Sequence, residues 1–370
     1  MTPAVRLDLV VPAPLAWRSG GSAYNERLAD ALAAAGVDVR THPAAGAWPV
    51  GSSADRARLR RVFREIADDG GARLLVDGLV GLGCPGEIAE AQRWGLAVWL
   101  LVHMPIGEMP DAAGPGSAIE AAALAAASGA ITPSHTTAAE LARRHGVEAA
   151  VARPGVDRSP LSHGSDPPRI LCVAALLHGK RQLELFEALG RLADLPWTAE
   201  LVGSDRPDPD YARAVRDAAA APPLRGRVRV AGELLGDALE AAWGAADLSV
   251  LASASETFGL VVAESLARGV PAIVPAGTGA EEALGLSRRG AAGLADTGSA
   301  RAELAGAVCR FDDTSGRDAQ SAPDAVAVLR SWLTDPALRS QWRAAACAAR
   351  PRLPGWGATA RAVLTALGDT

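Results

Sequence analysis

Cysteine is scarce in this 370-residue chain, and the four present (Cys84, Cys172, Cys309, Cys347) lie far apart with no C-x-x-C pair. That spacing excludes a disulfide framework and a clustered zinc site, and leaves buried free thiols in a reducing compartment as the simple reading. An excess of positive charge is also missing. The formal net charge of −5 gives no electrostatic case for nucleic acid or an acidic membrane surface. Long apolar runs are absent too: the stretch MTPAVRLDLVVPAP is too short for a secretory leader or a spanning helix and reads as a buried strand. The expectation is a cytoplasmic protein with no strong membrane signal. No G-x-S-x-G elbow occurs, so a serine hydrolase has no support. Lysine is scarce, vastly outnumbered by arginine. The arginine and alanine bias reads as GC-rich coding rather than as a functional signal.

What is present is an alternation of strand-like and helical stretches over a length that points to two α/β domains. Strands are read at 6–11, 37–42, 73–78, 97–103, 129–132 and 149–153, with helices at 23–35, 57–67, 87–94, 119–127 and 136–145. Residues 154–168, rich in proline, glycine and serine, read as a linker. The pattern then restarts, with strands at 169–176, 198–203, 228–232, 248–253, 271–276 and 292–296 and helices at 182–193 and 210–221. A helical tail ends in a last helix at 358–367. The expected division is an acceptor-side domain at 1–160, a nucleotide-sugar domain at 168–350 and a returning helix within 351–370.

The sharpest segment is 253–279, SASETFGLVVAESLARGVPAIVPAGTG, in which seven residues separate Glu256 from Glu264. A helix beginning near Phe258 puts Glu256 at its positive end and Glu264 about two turns in. The N–H groups of Phe258, Gly259 and Leu260 at such a helix start suit an anionic phosphate, and Gly259 leaves the approach open. On spacing alone, an N-capped amphipathic helix with a solvated glutamate fits equally well.

The full string resembles the E-x7-E block of the family 4 retaining glycosyltransferases, S-x-x-E-x-F-G-L-x-x-x-E-A-x-A-x-G-x-P-V-V, nearly position for position. The resemblance implies the GT-B fold, two doubly wound Rossmann-like domains facing a cleft with a C-terminal helix crossing back to the first. It implies a hexosyltransferase that takes a nucleotide-diphosphate sugar, UDP by family frequency, as co-substrate, with no other cofactor and no metal. Glu256 would then contact the donor sugar, and Glu264 the ribose hydroxyls, because carboxylates accept well from vicinal diols.

Other segments extend the resemblance over essentially the whole chain. WRSGGSAYNERL (17–28) is similar to the family's G-G loop, where Gly20 and Gly21 let backbone approach the donor. His103, in LLVHMP, falls where related enzymes contact donor hydroxyls or the reacting centre; a structural histidine is the plainer alternative. Ser134 and Thr137 read first as helix caps. Lys180 and the adjacent Arg181 fall where the family neutralises the diphosphate, although Ala175 stands where many members carry an arginine. Gly232, Glu233 and Leu234 match the loop that holds the nucleobase. Glu256, His103 and Lys180 are the expected catalytic residues, with no strong base required because the leaving phosphate takes the acceptor's proton. The hydroxyl acceptor is not legible; it would be shaped by loops at 43–52 and 106–116. The lack of a basic amphipathic helix argues against a lipid.

Rival readings have weaker support. Gly81, Gly83 and Gly86 formally match a dinucleotide fingerprint, but away from the domain's first strand. Asp208 and Asp210 read as a turn and cap rather than a metal-binding pair. A sugar-nucleotide epimerase shares the two-domain plan, and Ala175 motivates a non-catalytic scaffold of the same fold.

Overall fold

A computed structural model describes residues 5–13, 17, 19–106, 116–288, 304–311 and 321–368. The chain divides into two compact units: unit 1 comprises Met1–Gly155 and Pro354–Thr370, and unit 2 Val156–Leu353.

Unit 1 opens with β1 (Arg6–Pro12), α1 (Gly20–Ala34), β2 (Asp38–Ala44), α2 (Ser53–Asp68) and β3 (Arg73–Asp77). It continues with α3 (Gly78–Gly81), α4 (Pro85–Arg93), β4 (Ala97–Leu101), α5 (Gly116–Ala126), β5 (Gly129–Thr132), α6 (His135–His145) and β6 (Ala150–Val151). All pairings are parallel, in the order β2-β1-β3-β4-β5-β6. Apolar side chains fill both faces, as crossover helices require of a parallel sheet. One face carries Phe63, Leu74, Val76, Ile88 and Leu100, and the other Leu9, Tyr24, Leu28, Leu75 and Leu101.

Unit 2 runs β7 (Arg169–Val173), a 3-10 turn at His178–Lys180, α7 (Gln182–Gly190), β8 (Thr198–Val202), α8 (Pro209–Ala220) and β9 (Val228–Gly232). Then come α9 (Gly236–Gly244), β10 (Leu248–Val250), α10 (Leu260–Ala267), β11 (Ala272–Pro275), α11 (Ala280–Gly285), β12 (Gly306–Cys309), α12 (Ala325–Thr334) and α13 (Pro336–Ala349). Its sheet is also parallel, ordered β12-β11-β10-β7-β8-β9, with the order reversing between β7 and β10. Ligands of such sheets sit outside the strand C-termini at that reversal.

The final helix α14 (Trp356–Ala366) belongs to unit 1. Its Trp356 ring lies edge-on 5.4 Å from Tyr24, and Thr359 Oγ1 donates to the Arg153 carbonyl at 2.7 Å.

Several expectations shift. The stretch read as a linker is docked on unit 2: Ser162 is buried and its hydroxyl donates to the carbonyls of Gly244 and Ala246. The glycine pair is not a loop. Gly20 and Gly21 are the first two residues of α1, because Ser19 as N-cap and Ser22 as the third helical residue close a capping box around them. The strand expected at 292–296 lies outside the described residues, and β12 at Gly306–Cys309 was not anticipated. Two of the fingerprint-like glycines pack instead: a Cβ on Gly81 would meet the Leu100 side chain at 2.4 Å and one on Gly83 the Pro49 carbonyl oxygen at 1.7 Å, while one on Gly86 would meet nothing within 4 Å. The helix α2 is arginine-rich and amphipathic, unlike the expectation. Its apolar side, Leu59, Phe63 and Ile66, is buried in unit 1, and Arg60 pairs with the buried Glu87.

Candidate active site

In unit 2, the loops after the two strands that flank the reversal carry the charged groups. Lys180 ends the 3-10 turn after β7, and Glu256 lies in the loop after β10. The backbone ties these loops together through Ala254 N–H, which donates to the Gly179 carbonyl at 2.8 Å. Lys180 Nζ donates to Glu256 Oε1 at 2.6 Å, with the side chains 29% and 13% exposed. Two residues 76 positions apart, both singled out from sequence, are therefore brought into one ion pair.

The loop bearing Glu256 is held from below. Gly279 N–H donates to the Glu256 carbonyl at 2.7 Å, and a Cβ on Gly279 would come within 2.1 Å of the Thr257 oxygen. No side chain larger than hydrogen fits there without moving the loop.

The helix after this loop starts later than its sequence pattern suggests. Phe258 is buried in the core and precedes α10, and Gly259 is its N-cap in the left-handed region at φ 80°. The first-turn N–H groups without an intrahelical partner are thus those of Leu260 and Val261, not Phe258. Glu264 is half-buried in the second turn.

Arg181 caps α7 at φ 53°, the one non-glycine residue at positive φ among those described. Ala175 supplies no charge; its carbonyl accepts from Gln182 Nε2 at 2.9 Å. Gln182 Oε1 and Ser253 Oγ are buried and have no partner among the described residues. Sequence reasoning passed over both, although they flank Lys180 and Glu256 by two and three positions. Gly232 ends β9 at φ 76°, followed by exposed Glu233 and half-buried Leu234. Cys172, beneath the pair, is pushed up to about 12 by burial and stays a thiol.

In unit 1 the order reverses between β1 and β3, and the groups there form a different assembly. His103 follows β4, and its Nε2 lies 2.8 Å from Asn25 Oδ1. Asn25 Nδ2 donates to Asp77 Oδ2 at 2.5 Å, and Asp77 Oδ1 accepts from Leu79 N–H at 2.7 Å, capping α3. Burial lowers the pKa of His103, against a smaller opposing pull from Asp77. Gly21 makes room for the ring: a Cβ there would stand 3.1 Å from His103 Cδ2. Asn25 and Asp77 were not expected. Ser134 caps α6 through Thr137 N–H, and Asp208 caps α8. Among the described residues no group of His, Cys, Asp and Glu is arranged to hold a metal, and no helix is long and apolar enough to cross a membrane.

Comparison with solved structures finds the same architecture over nearly the whole chain. Sucrose-phosphate synthase from Thermosynechococcus elongatus superposes with a TM-score of 0.78 at 17% identity, covering 98% of each chain. The fold is GT-B. The Anabaena protein HepE, in complex with UDP and glucose, gives a TM-score of 0.72 at 15% identity over 98% of this chain and 99% of its own. The catalytic domain of starch synthase IV from Arabidopsis thaliana, bound to ADP and acarbose, gives 0.66 at 12% identity, covering 98% of each chain. Within this GT-B chain, residues 167–312 match the family described as "Glycosyl transferases group 1". That span contains Lys180, Glu256 and Glu264. No curated protein matches the chain by sequence.

Proposed function

We propose that the chain is a retaining glycosyltransferase of the E-x7-E type, moving a hexose from a nucleotide-diphosphate sugar to a hydroxyl acceptor. The observation that carries this reading is the Lys180–Glu256 pair at the strand reversal of unit 2, inside the segment that matches glycosyl transferases. UDP is the first candidate nucleotide, supported by the UDP complexes of HepE.

In this reading Lys180 and Arg181, with the first-turn N–H groups of α10, stabilise charge developing on the departing diphosphate. Fixed donors aimed at developing charge are commonly the largest electrostatic contribution to such a step. Glu264 holds the ribose hydroxyls, and the backbone at Gly232–Leu234 holds the base. Glu256 changes partner: Lys180 turns to the diphosphate and the carboxylate turns to the donor sugar. The acceptor's O–H attacks the anomeric carbon as the C–O bond to phosphate breaks, and the leaving phosphate takes the proton. Attack and departure on one face retain the configuration. His103 of unit 1 meets a ligand hydroxyl. No metal or further cofactor takes part. The buried unpaired thiols Cys84, Cys172 and Cys309 fit a reducing cytoplasm.

The test is a thermal-shift panel of UDP-, GDP- and ADP-sugars, since a bound donor raises stability with its affinity and concentration. One nucleotide series should raise Tm, and proton NMR of the product of an α-donor should show an α-linkage. No shift with any nucleotide sugar contradicts the transferase reading, and a β-product contradicts retention.

A further inference from the structure

The hydrogen-bond chain in unit 1 has a direction, and it can be read from its far end. Asp77 Oδ1 accepts from Leu79 N–H, and its second oxygen also receives a donor, Asn25 Nδ2. A carboxylate only accepts, so the amide nitrogen of Asn25 must face Asp77 and its oxygen must face His103. An amide oxygen accepts as well. The ring nitrogen 2.8 Å away, His103 Nε2, must therefore carry the proton. Asn25 and Asp77 are 4% and 3% exposed, so water does not compete for these bonds.

In a neutral imidazole a protonated Nε2 leaves Nδ1 with its lone pair. Burial favours that neutral form. The charged or titratable groups packed on the ring are Asp77, with Oδ2 3.5 Å from Nε2, and Tyr24, whose ring lies edge-on 4.9 Å away. The Tyr24 hydroxyl is already committed to the Ala152 carbonyl at 2.7 Å. Nδ1 itself has no partner among the described residues.

We propose that Asn25 and Asp77 are positioning residues that lock His103 as the Nε2–H tautomer, so that Nδ1 accepts a hydrogen bond from a ligand hydroxyl. The substrate class at this edge of unit 1 is thus a polyol or sugar presenting an O–H, rather than a carboxylate or phosphate, which would need a donor. This rests on the transferase reading for its kinetic consequences, but not for the tautomer itself.

The experiment is 15N NMR of the full chain labelled at histidine, with His103→Gln assigning the resonances. His103 should show a protonated Nε2 and a bare Nδ1 at pH 7.5. A protonated Nδ1, or an imidazolium at that pH, overturns the proposal without any variant having to fold. The kinetic arm uses Asn25→Asp, which sets a second carboxylate beside Asp77 and so favours imidazolium. The acid limb of its transfer rate should move to higher pH by a unit or more, with recovery toward the wild-type rate on the alkaline side. A tenfold loss at every pH with an unmoved limb assigns Asn25 a merely structural role and overturns the proposal. If the protein transfers no sugar at all, the tautomer measurement still decides between the outcomes.

Discussion

In unit 1 the groups at the strand reversal are Asn25, Asp77 and His103, mutually bonded, with one carboxylate bound by two donors. In unit 2 they are Lys180 and Glu256, opposite full charges with solvent still touching both side chains. The unit 2 pair comes from loops after the two strands that diverge at the reversal, whereas the unit 1 network joins a residue inside α1, the last residue of β3 and the loop after β4. They differ in what an incoming ligand can do. A buried network of mutually bonded groups holds one geometry, and opening it leaves unpaired groups that cost about 1–3 kcal/mol each. In a largely buried ion pair the desolvation of both charges offsets most of their attraction, so the pair contributes little net stability. An anion such as a diphosphate can therefore replace one partner at small cost. In the proposed mechanism unit 1 stays fixed, and unit 2 exchanges partners.

Breaking the exchangeable pair should have the largest effect. Glu256→Gln should lower transfer by roughly ten- to a hundredfold, because a charged hydrogen bond contributes about 1.5–3 kcal/mol. UDP affinity, measured by calorimetry, should rise, since Lys180 is released and a negative charge is gone. Weaker UDP binding in this variant would mean that Glu256 itself holds the nucleotide. Next in size, Lys180→Ala should lower turnover about tenfold while Tm stays within a degree or two. A large Tm loss would make the pair structural, like the network of unit 1.

The fold was legible because parallel strands buried on both faces write continuous apolar runs. Strands at Arg169–Val173 and Thr198–Val202, for example, stand within a few residues of expectation. Local chemistry limited the rest. The capping box of Ser19 and Ser22 starts α1 earlier than its apolar pattern does, so Gly20 and Gly21 became helix instead of loop. Phe258 looked helical because an aromatic continues the apolar run, but Gly259 in the left-handed region delays α10 to Leu260. Lys180 and Glu256 were readable because each lies in a local motif. Asn25 and Asp77 were not, since their meaning depends on His103, and no local pattern links three segments. One signal was available and unused: Lys180 is the chain's single lysine, kept where arginine serves almost everywhere else. A compact rotatable ammonium suits a partner exchange better than a planar fork.

Two smaller effects sharpen the comparison. Gly279→Ala should destabilise unit 2 by about 1–3 kcal/mol through overpacking under the Glu256 loop, and should weaken UDP binding with it. Gly285→Ala, where an added Cβ meets nothing within 4 Å, should do neither. Denaturant titrations of both variants check this. The smallest effect is a pH dependence in unit 1. His103 sits below its ordinary 6.5 because burial penalises its charged form. The unfolded chain therefore takes up the proton first, and stability falls as pH drops below about 6.5 toward the folded value. Denaturation midpoints at pH 7.5 and 5.5 should differ less in His103→Gln than in the parent. An equal difference would place the titration elsewhere.

The central claim is that Lys180 leaves Glu256 for the donor's diphosphate, and the single lysine allows a direct view of it. Reductive methylation with 13C-formaldehyde retains the charge and labels Lys180 as the only side-chain amine. Its methyl resonance should shift saturably on titration with UDP, and stay in place with uridine, which lacks the phosphates. UDP binding detected by calorimetry with no movement of that resonance would contradict the account.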